Sequence, residues 1–246
     1  MSNSGGSGGW VFFREFVRAP LRTASIVPSS PALAVAMVPP LSRPPAQGRR
    51  PVVVELGPGT GAFTRLIGQL APTGTRHLCV ELNPVMAAHL ARRFPRVEVV
   101  TGAAADLTRI LRQRRVPGVD LIISGLPWQS FAGPVGGRLI DTIAGCLRPD
   151  GVYTQFTYSW TRWAPPARWQ RLALIAAFHH VQVSPNIWRN LPPALVYTCT
   201  GPRTAAAART SAPRTQPVPE QEPDPRMDGG NGAIPAHRAP DGPGQH

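Results

Sequence analysis

From Val52 onward, short apolar runs alternate with amphipathic stretches, and this rhythm predicts strands that alternate with helices. The predicted strands are VVVEL, HLCVEL, VEVVTG, VDLIISGLP and GVYTQFTYS. The helices that follow them begin at Phe63, Pro84, Asp106, Gly136 and Pro166. Strands that are apolar on both faces and separated by helices are typical of a parallel sheet covered on both sides. The pattern therefore predicts an α/β fold with helices on both faces of the sheet.

The end of the patterned region differs from the rest. The segment HVQVSPNIWRNLPPALVYTCT contains two predicted strands with only a polar, proline-containing loop between them. Two consecutive strands without a helical crossover pair antiparallel. We therefore expect a seven-stranded sheet that is mostly parallel, with an antiparallel hairpin at one edge.

Composition divides the chain into four predicted parts. Residues 1–9 form a Gly/Ser tail that we expect to be disordered, and residues 10–50 hold two helices and a linker. Residues 51–200 form the α/β domain. Residues 201–246 are rich in Pro, Ala and Gly and contain almost no large apolar side chain, so they cannot offset the entropy lost on ordering and are predicted to be disordered.

The chain is strongly basic, with 26 basic and 13 acidic residues and a formal net charge of +13. No acidic residue occurs from Gly151 to Pro219, a stretch that includes Arg162, Arg168, Arg171 and Arg189. A basic surface suits an anionic lipid surface or a nucleic acid, and charge alone does not choose between them. No lysine is present, which excludes the Gly-Lys-Ser/Thr sequence of a nucleotide-binding P-loop.

The sequence also bears on the compartment. No apolar stretch reaches the roughly 20 residues that a membrane-spanning helix needs, and the N-terminus lacks the basic start and apolar core of a signal peptide. Cys79, Cys146 and Cys199 are isolated, with no CxxC pair, which indicates a reducing compartment. We therefore expect a cytoplasmic protein, peripheral on the inner face of the membrane, without a metal site.

The stretch VVVELGPGTGAF holds the strongest chemical signal in the chain. A strand leads through Glu55 into a loop with Gly57, Gly59 and Gly61, and the loop opens a helix. Such a turn places a ligand at the carboxyl edge of the sheet. The loop also fits a permissive dinucleotide fingerprint, but the Glu55 carboxylate would repel a pyrophosphate and favour a cation. Glu81 ends the next strand, where a carboxylate can accept hydrogen bonds from both hydroxyls of a ribose.

The segments VELGPGTGAFT and VELNP resemble the first two motifs of the class I S-adenosylmethionine-dependent methyltransferases. Four further segments, FFREFVRAPLRTASIVPSSPALAVAMV, SGLPWQSF, VYTQFTYS and WRNLPPALVY, are similar to those of bacterial phospholipid N-methyltransferases, which methylate phosphatidylethanolamine. They are similar more distantly to those of the rRNA adenine dimethylases. The resemblance covers about residues 10–200. It implies a Rossmann-like fold and S-adenosyl-L-methionine as the cofactor.

The resemblance also implies which residues bind the cofactor. By motif, Glu55 and the three loop glycines contact its methionine part, and Glu81 holds its ribose. The full predicted cofactor-binding set is Glu55, Gly57, Gly59, Gly61, Glu81, Asn83, Ala103, Ala104 and Ser124. One position departs from the family: Ala103 stands where an Asp commonly binds the adenine amine, and Asp106 is a candidate replacement one helical turn further on.

The segment SGLPW bears on the methyl acceptor. At this point the adenine dimethylases have Asn-Leu-Pro followed by Tyr or Phe, and the Asn accepts a hydrogen bond from the base amine. This chain has Gly125 in place of that Asn, which favours a lipid headgroup over a planar base. We predict Trp128 and Tyr158 as the catalytic residues, in an aromatic box completed by Trp160 that would hold a methylated ammonium by cation–π contact.

The expected activity is methylation of an amine-bearing phospholipid at an anionic membrane surface. The alternatives are an RNA methyltransferase of the adenine-N6 type and a cofactor-binding protein with degraded catalysis, the latter suggested by Ala103. A nicotinamide oxidoreductase is disfavoured by Glu55. The segment Trp10–Arg22, aromatic on one side and basic on the other, is predicted to be an interfacial helix or, alternatively, a lid over the cofactor.

Overall fold

The computed structural model describes residues 30–38, 49–131 and 133–203. The predicted Gly/Ser tail, the segment Trp10–Arg22 and most of the linker before residue 49 lie outside the described residues, as does the predicted tail from residue 204 onward. Those predictions, and the division of the chain into four parts, stay predictions.

The described chain is organised around one sheet. Its strands are β1 (Val52–Leu56), β2 (Arg76–Glu81), β3 (Glu98–Thr101), β4 (Val119–Ser124), β5 (Leu147–Tyr158), β6 (Phe178–Val183) and β7 (Ala194–Pro202). They lie in the order β3-β2-β1-β4-β5-β7-β6. The strands β1 to β5 pair in parallel, whereas β7 pairs antiparallel with both β5 and β6. The predicted seven-stranded, mostly parallel sheet with an antiparallel edge hairpin is therefore confirmed.

Helices surround the sheet. They are α1 (Pro31–Met37), α2 (Ala62–Leu70), α3 (Pro84–Arg93), α4 (Leu107–Gln113), α5 (Pro134–Cys146) and α6 (Pro165–Ala177). The side chains of Ser30 and Asn83 cap α1 and α3 by accepting hydrogen bonds from backbone N–H groups of the first turn, and each of these helices starts with a proline. No helix in the described ranges is long and apolar enough to cross a membrane.

An apolar layer covers each face of the sheet. On the first face, Val54 and Leu56 belong to a layer with α4, α5 and α6, and on the second face Val53 belongs to a layer with α1 and α2. The helical side chains of the first layer include Leu107, Ile110, Leu139, Ile143 and Leu174, and those of the second include Leu33, Met37, Phe63 and Ile67. Successive β1 residues enter opposite layers because side chains alternate along a strand.

The strand β4 ends earlier than the sequence predicts. It stops at Ser124 rather than at Pro127. The N–H of Gly125 still donates to the Leu56 carbonyl at 2.8 Å, after which the chain leaves the sheet and forms a 3-10 helix at Trp128–Ser130. The segment SGLPW is therefore mostly a loop at the carboxyl edge of the sheet.

Candidate cofactor and acceptor site

Three loops meet at the carboxyl edge of the sheet, where β1, β2 and β4 end. Backbone hydrogen bonds join them: the Gly57 N–H donates to the Val80 carbonyl at 2.9 Å, and the Gly125 N–H donates to the Leu56 carbonyl at 2.8 Å. These bonds bring together the glycine loop, the turn after Glu81 and the segment SGLPW. This edge is where α/β sheets bind their ligands.

The three glycines of the loop share a left-handed backbone, with φ of +65° at Gly57, +55° at Gly59 and +82° at Gly61. A Cβ on Gly57 would lie 2.9 Å from Leu126 Cδ2, and a Cβ on Gly61 would lie 2.4 Å from Phe94 Cε2. A Cβ on Gly59 would meet no atom within 4 Å. A Cβ would therefore be crowded at Gly57 and most strongly at Gly61, whereas Gly59 borders open space.

The Glu81 carboxylate holds the glycine loop from the neighbouring strand. Its Oε2 accepts a hydrogen bond from the Gly59 N–H at 3.3 Å, and its Oε1 accepts one from the Asn83 N–H at 3.0 Å. Burial raises the pKa of the Glu81 carboxyl above its ordinary value, and these backbone donors offset part of the rise. The side chain is 9% exposed, next to the open space at Gly59, so it can accept further hydrogen bonds from a ligand there.

Asn83 has a structural role that the sequence-based prediction did not include. Its Oδ1 accepts hydrogen bonds from the N–H groups of Val85 at 2.9 Å and Met86 at 3.2 Å, which starts α3 directly after the Glu81 turn. The cap thereby fixes the backbone that carries Glu81. A direct contact between Asn83 and the cofactor stays a prediction.

Glu55 lies beneath the loop, with a fully buried side chain. Its Oε2 accepts hydrogen bonds from the Thr64 hydroxyl at 2.7 Å and the Cys79 thiol at 3.5 Å, and His77 Nε2 lies 3.4 Å away. Burial, with the nearby Glu55 charge, raises the pKa of the Cys79 thiol well above its usual value, so the thiol stays protonated and donates. Glu55 thus ties β1 to β2 and α2. In this arrangement it has no exposed surface for the predicted contact with the methionine part of the cofactor.

The same contacts gather three potential metal ligands. The ligand atoms of Glu55, His77 and Cys79 lie within 4.8 Å of one another. Their spacing in the sequence does not reveal this, because the residues meet only when β1 pairs with β2. The expectation that the chain has no metal site stays a prediction.

The turn after β3 carries the residues predicted to lie at the adenine. Ala103 precedes a 3-10 helix at Ala104–Asp106. The carboxylate of Asp106 accepts a hydrogen bond from Arg109 at 3.0 Å, and both side chains are exposed. An exposed ion pair of this kind contributes at most about 1 kcal/mol, so Asp106 can exchange Arg109 for another donor at little cost.

Trp128 is packed into the first apolar layer, with only 2% of its surface exposed. Its indole N–H donates to Ser124 Oγ at 3.0 Å, and its ring lies 5.6 Å from the ring of Phe131. Ser124 is itself fully buried at the end of β4. Ser124 therefore positions Trp128, and in this structure neither side chain has the free surface that the predicted cofactor and acceptor contacts require.

The aromatic residues predicted to form one box are separated in the structure. Trp128 packs on the first face of the sheet, whereas Tyr158 packs on the second, with its ring 5.8 Å from that of Phe156. Trp160 lies in the 3-10 helix after β5 and is 71% exposed. The box is therefore not formed in this structure, because Trp128 and Tyr158 pack on opposite faces of the sheet.

A polar network that we did not predict joins the loops after β4 and β5. The side-chain amide of Gln129 donates to the hydroxyls of Thr157, at 3.1 Å, and Thr161. The two hydroxyls are buried and lie 3.1 Å apart. The network fixes the segment SGLPWQ beside the turn that follows β5. The available signal is the occurrence of polar residues near the ends of two strands, β4 and β5, that end at the same edge of the sheet.

Comparison with known proteins identifies the family. The chain is 34% identical over 195 residues to an ornithine lipid N-methyltransferase of Singulisphaera acidiphila, and the match covers 78% of this chain and 95% of that protein. The chain belongs to the S-adenosylmethionine-dependent lipid N-methyltransferases. No protein-family model matches it.

Two other similarities are more limited. A ribosomal RNA small subunit methyltransferase A of Acidobacterium capsulatum is 41% identical over 78 residues, which is 31% of this methyltransferase and 26% of that protein. The crystal structure of an O-methyltransferase from Bacillus cereus in complex with SAH superimposes with a TM-score of 0.55 at 18% identity, covering 77% of this chain and 90% of that one. The similarity to the Bacillus cereus protein concerns the fold alone and agrees with the predicted Rossmann-like architecture.

The methyltransferase site fits S-adenosylmethionine at the glycine loop. Gly59 leaves open space where a β-carbon would otherwise project, and a carboxylate lies beside it with part of its surface exposed. A ribose has two neighbouring hydroxyls, which suit the two oxygens of Glu81.

Replacing Glu81 with Gln should weaken binding of S-adenosylmethionine by about 1–3 kcal/mol, because the charge-assisted hydrogen bonds to the ribose are lost. The affinity of the wild type should also fall as the pH is lowered through the raised pKa of Glu81, since only the ionised carboxylate accepts from both hydroxyls. The variant should lack this acid dependence. Calorimetric titration at several pH values measures both effects.

Asp141→Asn provides a matched control, because it removes one carboxylate charge from the exterior of α5. Its affinity should equal that of the wild type. An unchanged affinity in Glu81→Gln would place the ribose partner elsewhere.

Proposed function

We propose that this methyltransferase transfers methyl groups to the amine of a polar lipid headgroup at the inner face of the membrane. The observation that carries the proposal is the similarity to an ornithine lipid N-methyltransferase over 95% of that protein's length. The motif resemblance adds phosphatidylethanolamine as a candidate acceptor. Both lipids present a primary amine beside an anionic group.

Position 125 supports a lipid amine over adenine. A Cβ on Gly125 would lie 2.6 Å from the Gly57 carbonyl oxygen, so no side chain fits there unless the glycine loop moves. The position therefore cannot supply the amide that holds the base amine in the adenine dimethylases. Trp128 stands at the position where those enzymes have a stacking aromatic residue, but its ring is buried and has almost no surface on which a base could stack.

The chemistry is an in-line displacement at carbon. S-adenosylmethionine, when bound, supplies a methyl group on a sulfonium. The lone pair of the neutral acceptor nitrogen would form the new N–C bond while the electron pair of the C–S bond stays on sulfur, which leaves as a neutral thioether, and the methylated ammonium would lose its proton to bulk water after release. The protein contributes alignment and removal of water from the reacting atoms, which can supply most of the rate enhancement.

We assign the cofactor to the loops of the carboxyl edge. Gly57, Gly59 and Gly61 form the surface for its methionine part, and Glu81 accepts from its ribose. The adenine lies at the turn that holds Ala103 and Ala104, contacted by backbone groups, because neither side chain can hydrogen-bond. The hydrogen bond between Glu81 and the Gly59 N–H supports this assignment, since it joins two of the proposed contact points.

An RNA methyltransferase is the second candidate, favoured by the partial similarity to ribosomal RNA small subunit methyltransferases A and by the basic charge. Those matches cover only 26% to 34% of the proteins concerned. A shared cofactor loop accounts for a partial match without a shared acceptor. The lipid proposal is therefore preferred.

The test is a competition between acceptors. Purified protein and methyl-labelled S-adenosylmethionine are incubated in parallel with vesicles containing phosphatidylethanolamine, vesicles containing ornithine lipid, and ribosomal RNA. We expect label in the lipid fraction of at least one vesicle type and none in RNA. Label in RNA alone would overturn the proposal. Cofactor binding without label in any fraction would instead support degraded catalysis.

A further inference from the structure

Exposed tryptophan side chains distinguish the part of the described chain that follows β5. The exposed fractions are 71% at Trp160, 73% at Trp163 and 74% at Trp188, and Leu191 is 72% exposed. Large apolar side chains grouped at a surface mark a site of interaction. Tryptophan in particular is enriched where an apolar phase meets water, because its ring is amphipathic.

These side chains belong to two loops that are bonded to each other. The Ser159 N–H donates to the Pro193 carbonyl at 2.8 Å, and the Ser159 hydroxyl donates to Asn186 Oδ1 at 2.9 Å. The turn after β5 is thereby joined to the connection between β6 and β7. We call the exposed apolar residues of these loops, Trp160, Trp163, Trp188 and Leu191, the tryptophan ledge.

Hydrogen bonds and a β-bridge hold the backbone of the connection between β6 and β7, which carries part of the tryptophan ledge. Asn190 is 5% exposed, its amide N–H donates to the Pro192 carbonyl at 2.7 Å, and its Oδ1 accepts from the Ser30 N–H at 3.0 Å. Ile187 and Ala194 form a β-bridge within the same connection. Because the backbone is held in this way, the exposed rings are displayed on an ordered support.

The ledge lies at the edge of the sheet that carries the cofactor loops. The strand β5 runs parallel to β1 and β4 and ends at Tyr158, and Ala194 pairs with Tyr158 at the start of β7. Gln129, in the loop after β4, donates to Thr161 in the turn that carries Trp160. A partner docked on the tryptophan ledge would therefore lie beside the proposed site of methyl transfer.

The charge around the ledge is positive. Arg162 and Arg189 are exposed next to ledge residues in the sequence, and the guanidinium carbon of Arg162 lies 4.3 Å from the ring centre of Trp163. No acidic residue occurs from Gly151 to Pro219, and none of the salt bridges among the described residues involves Arg162 or Arg189. Arginine beside exposed indoles is the combination that suits lipid phosphates above an acyl layer.

We propose that the tryptophan ledge docks the enzyme on an anionic lipid bilayer, with the indole rings and Leu191 entering the interface and Arg162 and Arg189 meeting the headgroup phosphates. The inference rests on the proposed lipid acceptor, whose headgroup would then be presented at the carboxyl edge of the sheet. The ledge lies within the described residues and does not include Trp10–Arg22.

Vesicle flotation of the full-length chain tests the ledge. Wild type, Trp163→Ser/Trp188→Ser and Arg162→Glu/Arg189→Glu are mixed with vesicles of phosphatidylcholine containing phosphatidylglycerol. We expect the wild type to float and each double variant to bind at least tenfold more weakly. Brominated lipids should quench the wild-type tryptophan fluorescence, and the quenching should fall in Trp163→Ser/Trp188→Ser.

Two controls change similar side chains away from the ledge. Leu70→Ser alters an apolar residue that is 49% exposed at the end of α2, and Arg112→Glu reverses an exposed charge at the end of α4. Both controls should float like the wild type. Wild-type flotation by both ledge variants would overturn the proposal, as would vesicle binding that is unchanged while RNA binding is lost.

A second measurement separates failure of the ledge from failure of the proposed function. A water-soluble short-chain phosphatidylethanolamine is offered as acceptor without a bilayer. The ledge variants should methylate it at the wild-type rate, which also shows that they are folded. Equal losses with this acceptor and with vesicles would overturn the docking role. Absence of lipid methylation in the wild type, with label in RNA, would instead overturn the proposed function.

Discussion

Gly59→Arg is expected to abolish binding of S-adenosylmethionine while the protein remains folded. A Cβ at Gly59 would meet no atom within 4 Å, so the new side chain enters the open space above the loop, where we place the cofactor. The backbone at this position is left-handed, with φ of +55°, which costs a residue with a Cβ about 1–2 kcal/mol. That cost is well below the total stability of an ordinary domain, which is about 5–15 kcal/mol.

Calorimetry and thermal unfolding together check this prediction. Gly68→Arg is the matched control, because it adds the same side chain to the exposed surface of α2, where a Cβ meets no atom within 4 Å. The control should bind the cofactor like the wild type. Wild-type affinity in Gly59→Arg would show that the cofactor lies elsewhere, and binding of NADH in place of S-adenosylmethionine would contradict the cofactor assignment altogether.

Gly61 differs from Gly59 in its surroundings, although both belong to the same loop. A Cβ there would lie 2.4 Å from Phe94 Cε2 and 2.9 Å from Leu90 Cδ1, both in or next to α3. The left-handed backbone favours glycine at both positions, and at Gly61 the neighbouring helix adds a second reason, whereas Gly59 borders the open space where we place the cofactor. In the sequence motif both positions are simply glycine, so the motif does not distinguish these surroundings.

Periodicity was sufficient to predict the sheet. Strands such as VVVEL are apolar apart from single residues such as Glu55, and they are separated by helices, of which some start with a capping residue and a proline, as at Asn83 and Pro84. The glycine loop and Glu81 were predictable for a related reason. Parallel strands end at a common edge, so residues just after them meet without any knowledge of side-chain packing.

Side-chain direction was not predictable in the same way. Trp128 follows a strand in a loop, where no periodicity assigns a face, and its burial results from the hydrogen bond to Ser124 and the apolar layer below. Glu55 belongs to a strand whose residues are all buried, so its carboxylate had to find partners inside, which Thr64 and Cys79 provide. Both outcomes depend on contacts between distant elements.

The arrangement of aromatic residues has a functional consequence. Trp128 is buried on the first face of the sheet, whereas the tryptophans of the ledge, Trp160, Trp163 and Trp188, are exposed. Adenine dimethylases require an aromatic residue that stacks on the base at the acceptor site. A lipid headgroup is not stacked in this way, and it is presented at a membrane surface on which the enzyme can dock. The exposed tryptophans and the burial of Trp128 thus support a lipid acceptor over adenine.

Gly125→Asn is expected to destabilise the protein and to weaken cofactor binding, and it should not create an RNA methyltransferase. The substitution restores the Asn of the adenine dimethylase motif. In this chain, however, a Cβ at position 125 would lie 2.6 Å from the Gly57 carbonyl oxygen and 3.6 Å from that of Leu56. Both are backbone atoms, so the glycine loop itself must shift.

Overpacking of this kind typically lowers the free energy of unfolding by about 1–3 kcal/mol, and a displaced glycine loop should lower cofactor affinity at least tenfold. Gly145→Asn is the matched control, because a Cβ on that exposed glycine of α5 meets no atom within 4 Å. The control should match the wild type in denaturant unfolding and in calorimetric titration with S-adenosylmethionine. If Gly125→Asn instead kept its stability and transferred label to ribosomal RNA, the close approach of the two loops would not be what separates this enzyme from the adenine dimethylases.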